Sequence, residues 1–297
     1  MSSYLEATAR ERIRRLLDDG SFAEILPPAA RIISPHLAQL DVPVSFDDGV
    51  IIGHGLLDGH RVLAAAQEGG FMGGAVGEVH GAKLVGMLKR AVDEKAHAVL
   101  LLLDTGGVRL HEANAGLIAV SEVMRAVLDV RGAGIPVIVL AGSSNGCFGG
   151  MGIVARCANA IIMSEEGRLA MSGPEVIETA SGVEEFDSRD RGLVWRTTGG
   201  KHRYLLGDCN ALVNDDIDGF RGAAIEAIGE CRRGTVELTL ESLDAEQRML
   251  SDRLQRFGDA ADPLYIWQRL GIDSPQRLTM LEADAFVETV APYRTGG

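Results

Sequence analysis

The sequence predicts an α/β fold in which short buried strands alternate with amphipathic helices. Apolar runs at residues 98–103 and 137–140 have the length of strands buried on both faces, and a stretch with helical apolar spacing follows each of them. Glycine pairs stand in the loops between, at Gly73-Gly74, Gly106-Gly107 and Gly149-Gly150. The 297 residues include 37 glycines against 9 prolines and are 46% hydrophobic, a balance that suits tight turns in a packed protein better than a disordered linker. Strands and helices at such short spacing call for right-handed crossovers.

Residues 3–19 read as a helix because Leu5, Ala9, Ile13, Leu16 and Leu17 recur at helical spacing, with Gly20 where a C-cap belongs. Pro27, Pro28 and Pro35 then mark an irregular connection. Short apolar segments at 50–52 and 62–66 flank Asp58-Gly59, a hairpin turn signal. After the loop 71–77, Leu84, Val85, Leu88, Ala91 and Val92 form one helical stripe. The strand at 98–103 ends in Asp104-Thr105-Gly106-Gly107, and the next helix shows Leu117, Val120, Met124, Val127 and Leu128 on one face before Gly132 and Gly134 stop it. The strand at 137–140 runs into the loop 142–150 and a short helix; 160–163 and 169–171 read as further strands, and Pro174 as the first residue of a helix. Beyond about residue 235 the chain is helical and more polar, with Leu240, Leu243, Leu250 and Leu254 lining one face. The expected organisation is an N-terminal helical arm over 1–40, a main domain over 41–235 and a helical extension over 236–297. Either extension is suited to binding a partner.

The formal net charge of −13 disfavours nucleic acid and anionic membrane surfaces as partners. An anionic small substrate would need a local basic patch, and Arg189, Arg191, Arg196, Lys201 and Arg203 offer one against Asp190 alone; a solvated charged loop is the alternative. The four cysteines are scattered, with no C-x-x-C pair, which argues against a zinc ribbon and a disulfide framework and for reduced thiols in a cytoplasmic protein. No apolar segment has the form of a secretion signal or the length of a membrane span.

Conventional catalytic motifs are missing. The sequence has no P-loop, no G-x-G-x-x-G and no H-E-x-x-H. Ser143 and Ser144 have no base near them in sequence, while His80 and His111 lie beside the glycine loops and are candidates to orient a group there. Backbone chemistry remains. A Gly-Gly pair after a buried strand, at a helix N-terminus, leaves N–H groups directed into a cleft, and glycine lets a ligand oxygen approach them. Two such loops, with Gly106 and Gly107 on one and Gly149 and Gly150 on the other, are suited to stabilising an oxyanion. Packing glycines are the alternative.

These same segments carry a resemblance. Phe71 to Gly77, with Gly73, Gly74 and Gly77, followed by Gly81-Ala82-Lys83, resembles the F-M-G-G-S-x-G…G-E-K motif of acyl-CoA carboxylase carboxyltransferase β subunits. Thr105-Gly106-Gly107-Val108-Arg109 with Glu112 is similar to their S-G-G-A-R-x-x-E, Gly146 to Gly152 to their Gly-Gly turn, and Ser172 to Val176 to their G-P segment. The four motifs occur in order over residues 47–215. The resemblance implies a crotonase-like ββα superhelix, here with helical N- and C-terminal extensions. Three departures narrow it: no cysteines for a zinc ribbon, no second crotonase-like half, and Phe148 where many relatives have alanine. The segments 73–81 and 104–112 look most like the β subunit of malonate decarboxylase. That family implies an obligate crotonase-like γ partner and an acyl carrier protein whose CoA-derived prosthetic group carries a malonyl thioester. It implies decarboxylation to the acetyl thioester by enolate stabilisation, with neither biotin nor zinc bound by this chain. Gly73, Gly74, Gly77, Arg109, Phe148, Arg196, Lys201 and Arg203 are the expected substrate-side residues. A biotin-dependent carboxyltransferase β subunit and a non-catalytic scaffold for a γ subunit are the alternatives.

Overall fold

A computed structural model describes residues 2–234 and 239–295. Its spine is a seven-stranded sheet with the strands in sequence order. β1 (Ala23–Ile25), β2 (Val50–Leu57) and β3 (His60–Gln67) pair antiparallel. From β3 onward β4 (Ala98–Leu102), β5 (Val137–Ala141), β6 (Ala160–Ser164) and β7 (Ala211–Val213) continue in parallel. The β2–β3 hairpin turns through Asp58 (φ 51°) and Gly59 (φ 74°), the paired left-handed residues that a two-residue turn demands. Every residue of β4, β5 and β6 is buried, which is why these strands read as unbroken apolar runs and not as alternating ones.

The two faces of the sheet are covered by different parts of the chain. On one face, α3 (Glu78–Asp93), α4 (Asn114–Gly132) and α5 (Gly150–Arg156) follow β3, β4 and β5 and pack Leu84, Leu88, Val123, Val127 and Met151 onto Val99, Leu101 and Val139. On the other, α1 (Ala9–Leu16) and α9 (Ile217–Arg233) set Ile13, Leu16 and Phe220 against Leu100, Leu102, Ile138 and Leu140. Neighbouring residues of one strand serve opposite faces, as the pleat requires. Each fully buried leucine contributes roughly 1.5–3 kcal/mol on this scale of burial. The remaining helices are α2 (Pro35–Gln39), α6 (Pro174–Ser181), α7 (Arg191–Thr198), α8 (Gly200–Leu205), α10 (Leu240–Phe257), α11 (Pro263–Arg269), α12 (Pro275–Leu278) and α13 (Ala283–Val290). Trp267, Leu278, Phe286 and Val290 from the last three join the same buried cluster where these helices pack against α7, α8 and β7.

Three local expectations are corrected. The first helix begins only at Ala9, because Thr8 and Glu11 form a capping box that fixes its start. Residues 169–171 form no strand; Leu169 makes only an isolated bridge to Cys147. The buried stripe of α4 runs through Ala119, Val120, Val123, Val127 and Val130, while Leu117 and Leu128 are 58% and 40% exposed. The leucine face of α10 points outward: Leu240, Leu243, Leu250 and Leu254 are all exposed, and the helix is held by Arg253 on Asp208, Arg156 on Glu246 and buried Phe257.

Candidate active site

The two loops that follow β4 and β5 emerge side by side and are stitched together through their backbones. Thr105 N–H donates to the Gly146 carbonyl at 2.8 Å, and Phe148 N–H donates back to the Thr105 carbonyl at 3.0 Å. Gly107 (φ 122°) and Gly149 (φ 61°) then meet; a Cβ on Gly149 would stand 3.1 Å from the Gly107 Cα. The loop after β3 lies equally close, since a Cβ on Gly74 would fall 1.7 Å from the Asp104 carbonyl oxygen. Glycine is required here by backbone-to-backbone contact.

That contact decides which amides are free. The sequence reading assigned oxyanion donors to Gly106, Gly107, Gly149 and Gly150, and three of these are engaged internally. Gly106 N–H donates to the Gly73 carbonyl (2.8 Å), Gly107 N–H to Thr105 Oγ1 (3.0 Å) and Gly149 N–H to the Met171 carbonyl (2.9 Å). Gly150 is not engaged in this way. Among the described residues its amide, that of Met151 and that of Val108 meet no acceptor. The Val108 nitrogen lies 3.9 Å from the point where a Gly149 Cβ would sit, so a donor of the first loop borders the N-terminus of α5 from the second. The two loops thus leave backbone N–H groups without acceptors close to one another in the fold. Val108 was missed because a motif marks its glycines and not the residue whose amide they leave open.

Other expected site residues prove to be structural. Arg109 is 1% exposed, with Nη1 on Asp48 Oδ2 (2.9 Å) and Glu112 Oε1 (2.8 Å), so its guanidinium locks the first loop to the β2 side and does not reach a substrate. Gly77 makes room for this pair; a Cβ there would lie 2.5 Å from Glu112 Oε1. Phe148 is 4% exposed and turned inward, with the Arg168 guanidinium 5.7 Å from its ring centre, so it supports the second loop. The basic cluster is also taken up: Arg196 pairs with Asp262 (2.8 Å), Lys201 with Glu165 (2.7 Å) and Arg203 with Asp208 (3.0 Å). These residues therefore form no free anion-binding patch. Arg168 and Arg191 instead line a cavity beside the second loop with Ser144 and Glu166.

Beneath the loops runs a chain of buried polar groups. Asp104 is 2% exposed; its Oδ1 accepts from the backbone and side-chain nitrogens of Asn145 (3.0 and 3.1 Å), and its Oδ2 accepts from Arg12 Nη1 (2.9 Å). The Asp104 amide donates to Gln67 Oε1 (3.1 Å), whose amide nitrogen lies 3.2 Å from His80 Nε2. His80 Nδ1 in turn lies 3.1 Å from the Asp48 carbonyl, so the neutral ring donates there and accepts from Gln67. Burial, and next the charge of Arg109, hold the His80 pKa down at about 3. This histidine positions loops and takes no proton near neutrality; His111 sits exposed at the rim. Burial likewise pushes the Cys209 thiol up to about 12, leaving it unreactive. Among the described residues no group of three or more His, Cys, Asp and Glu is placed to hold a metal ion.

Comparison with known proteins agrees with this geometry. Residues 6–224 match the carboxyl transferase domain family. The malonyl-S-ACP:biotin-protein carboxyltransferase MADC of Malonomonas rubra is 42% identical over 96% of this chain and 94% of its own length. The acetyl-coenzyme A carboxylase carboxyl transferase subunit beta of Fusobacterium nucleatum is 34% identical over 59% of each. Among solved structures, a chain of a Pseudomonas malonate decarboxylase hetero-tetramer in complex with malonate superimposes with a TM-score of 0.76 at 40% identity, covering 87% of this chain and 92% of that one. A chain of the Pseudomonas MdcD-MdcE hetero-dimer gives 0.65 at 36% identity, covering 86% and 97%. The sheet order, the glycine loops and these likenesses converge: the chain belongs to the carboxyl transferase family, has its crotonase-like fold, and falls among the malonate decarboxylase β subunits.

Proposed function

We propose that this chain is the β subunit of a malonate decarboxylase, acting with a γ subunit on malonyl-S-acyl carrier protein to give acetyl-S-acyl carrier protein and CO₂. The observation that carries the reading is that unengaged amides of Val108 on one loop and of Gly150 and Met151 on the next stand on backbones in contact. When the bond to the departing carboxylate breaks, its electron pair moves onto the thioester oxygen. Preorganised N–H donors lower the energy of that enolate more than that of the neutral thioester, which is the condition for catalysis. Protonation of the enolate carbon then gives the acetyl thioester.

The likeness to a malonate decarboxylase chain crystallised with malonate supports the substrate class. A γ partner is supported by the apolar rim: Leu110 is 85% exposed, Ile118 62% and Met171 67%, all on segments that frame the amides. Such a patch marks an interface. The prosthetic group stays on the carrier, and in this reading the chain itself holds neither biotin nor zinc. No helix of the described residues is long and apolar enough to cross a membrane, and the reading places the enzyme in the cytoplasm.

The test separates the N–H from its surroundings. A Cβ on Gly150 would press to 2.6 Å from Val120 Cγ1, so the comparison is made in a Val120→Ala background. Gly150→Ala keeps the amide hydrogen; Gly150→Pro removes it at the first helical position, where proline fits. Loss of one oxyanion donor costs about 100-fold or more in kcat. Equal turnover by the two variants would remove Gly150 from the chemistry, and a complex indifferent to both would favour the scaffold reading. The carboxyltransferase activity for which the Malonomonas relative is named favours a second reading, in which the carboxyl passes to biotin. Inhibition of CO₂ release by avidin would establish it, and inward-facing Phe148 gives no steric argument against it.

A further inference from the structure

We propose that the cavity between α7–α8 and α11–α12 binds a planar heteroaromatic ring of the adenine type, with an amino group beside a ring nitrogen. The cavity holds about 370 Å³, has no residue of the glycine loops in its lining, and lies at the segment whose basic residues proved to be structural. Both tryptophans of the chain line it: Trp195, 45% exposed, and Trp267, 1% exposed, with Leu264 beside them. Flat apolar walls of this kind stack on flat rings.

The polar groups in the wall define the ring's edge. Trp267 Nε1–H donates to His202 Nδ1 at 3.1 Å, so the neutral imidazole carries its proton on Nε2, a donor with no partner among the described residues. Burial holds the His202 pKa down at about 3, which keeps this tautomer through the neutral range. Glu165 gives one carboxylate oxygen to Lys201 Nζ at 2.7 Å and leaves the other without a hydrogen bond among the described residues. An acceptor and a donor in one slot match an exocyclic amine next to an unprotonated ring nitrogen. An aliphatic guest would leave both unpaired, at a cost in free energy. An anionic guest finds no free cation, because Lys201 is held by Glu165 and the Thr279 carbonyl (2.9 Å), and Arg196 by Asp262. Phosphates attached to the ring therefore stay outside the cavity.

The readout is binding, so it stands or falls apart from the decarboxylation reading. Adenosine, purine riboside and coenzyme A are titrated calorimetrically into the chain purified with its partner subunit. Adenosine is expected to bind more tightly than purine riboside, which lacks the amine. Trp195→Ala, at a half-exposed wall, weakens adenosine by about tenfold or more. Glu165→Gln abolishes the preference for adenosine over purine riboside. Coenzyme A binding far more tightly than adenosine assigns the ring to a CoA-derived group; equal affinities assign it to a free nucleoside. Absence of heat from all three at millimolar concentration, or unchanged adenosine affinity in Trp195→Ala, overturns the proposal.

Discussion

Asp104 holds two loops and the N-terminal arm with a single carboxylate, and removing its cation exposes what the site depends on. Arg12 is 3% exposed and also donates to the Tyr4 carbonyl (2.8 Å) and the Leu5 carbonyl (3.2 Å). Arg12→Met is expected to destabilise the fold by about 3–5 kcal/mol, because it leaves a buried carboxylate without its partner. Arg12→Lys should recover only part, since an ammonium reaches Asp104 but does not reproduce the guanidinium fork to both carbonyls. Urea unfolding midpoints of the two variants check this, and equal midpoints would contradict it. Activity should fall further than stability alone explains, as Asp104, which also anchors Asn145 beside the second loop, loses the cation that fixes it.

α4 shows how an element can be read correctly and oriented wrongly. Its extent followed from periodicity and the terminal glycines, but Leu117 and Ile118 face outward beside the first loop, 58% and 62% exposed. Replacing Leu117 by Glu and Ile118 by Lys should leave the thermal midpoint of this chain nearly unchanged, as for other surface positions. The same pair should abolish co-purification with the γ subunit; retained co-purification would move the interface elsewhere. The sequence revealed β2 to β6 and the Asp58-Gly59 hairpin, because each depends on residues adjacent in the chain, but it missed the short β1 and β7 and offered a strand at 169–171 that does not form. It could not reveal that Gly106 donates to Gly73, Gly149 to Met171 or Arg196 to Asp262, since those partners meet only through the fold. Arg109 and Phe148 were misplaced for the same reason: a motif gives neither burial nor direction. The leucine stripe of α10 was real, and its outward direction is a tertiary fact.

Across the whole molecule, two histidines are buried in the neutral form, with pKa values of about 3 against the ordinary 6.5. Unfolding below pH 6.5 lets each take up a proton that the folded state refuses. Stability is therefore full above that pH and declines as pH falls toward 3, by roughly 1 kcal/mol per pH unit for each histidine. Urea unfolding at several pH values between 7 and 4 should show this, and His202→Gln should flatten the slope by one histidine's share; an unchanged slope would mean that His202 is protonated in the fold. The arm that carries Arg12 has a further consequence, in the order of events during synthesis. Ser2 N–H donates to Asp216 Oδ1 (3.1 Å), Leu5 N–H to Asp215 Oδ1 (2.8 Å) and Ile217 N–H to the Ser2 carbonyl (3.0 Å). The first residues made must wait for partners more than 200 positions later, 214 in the case of Ser2 and Asp216. At ordinary elongation rates that interval is roughly 10–40 s. Until it passes, Asp104 lacks its cation and the glycine loops lack their floor, so a ribosome-bound chain carries an unfinished oxyanion site and a partner subunit meets it complete only after α9 has emerged.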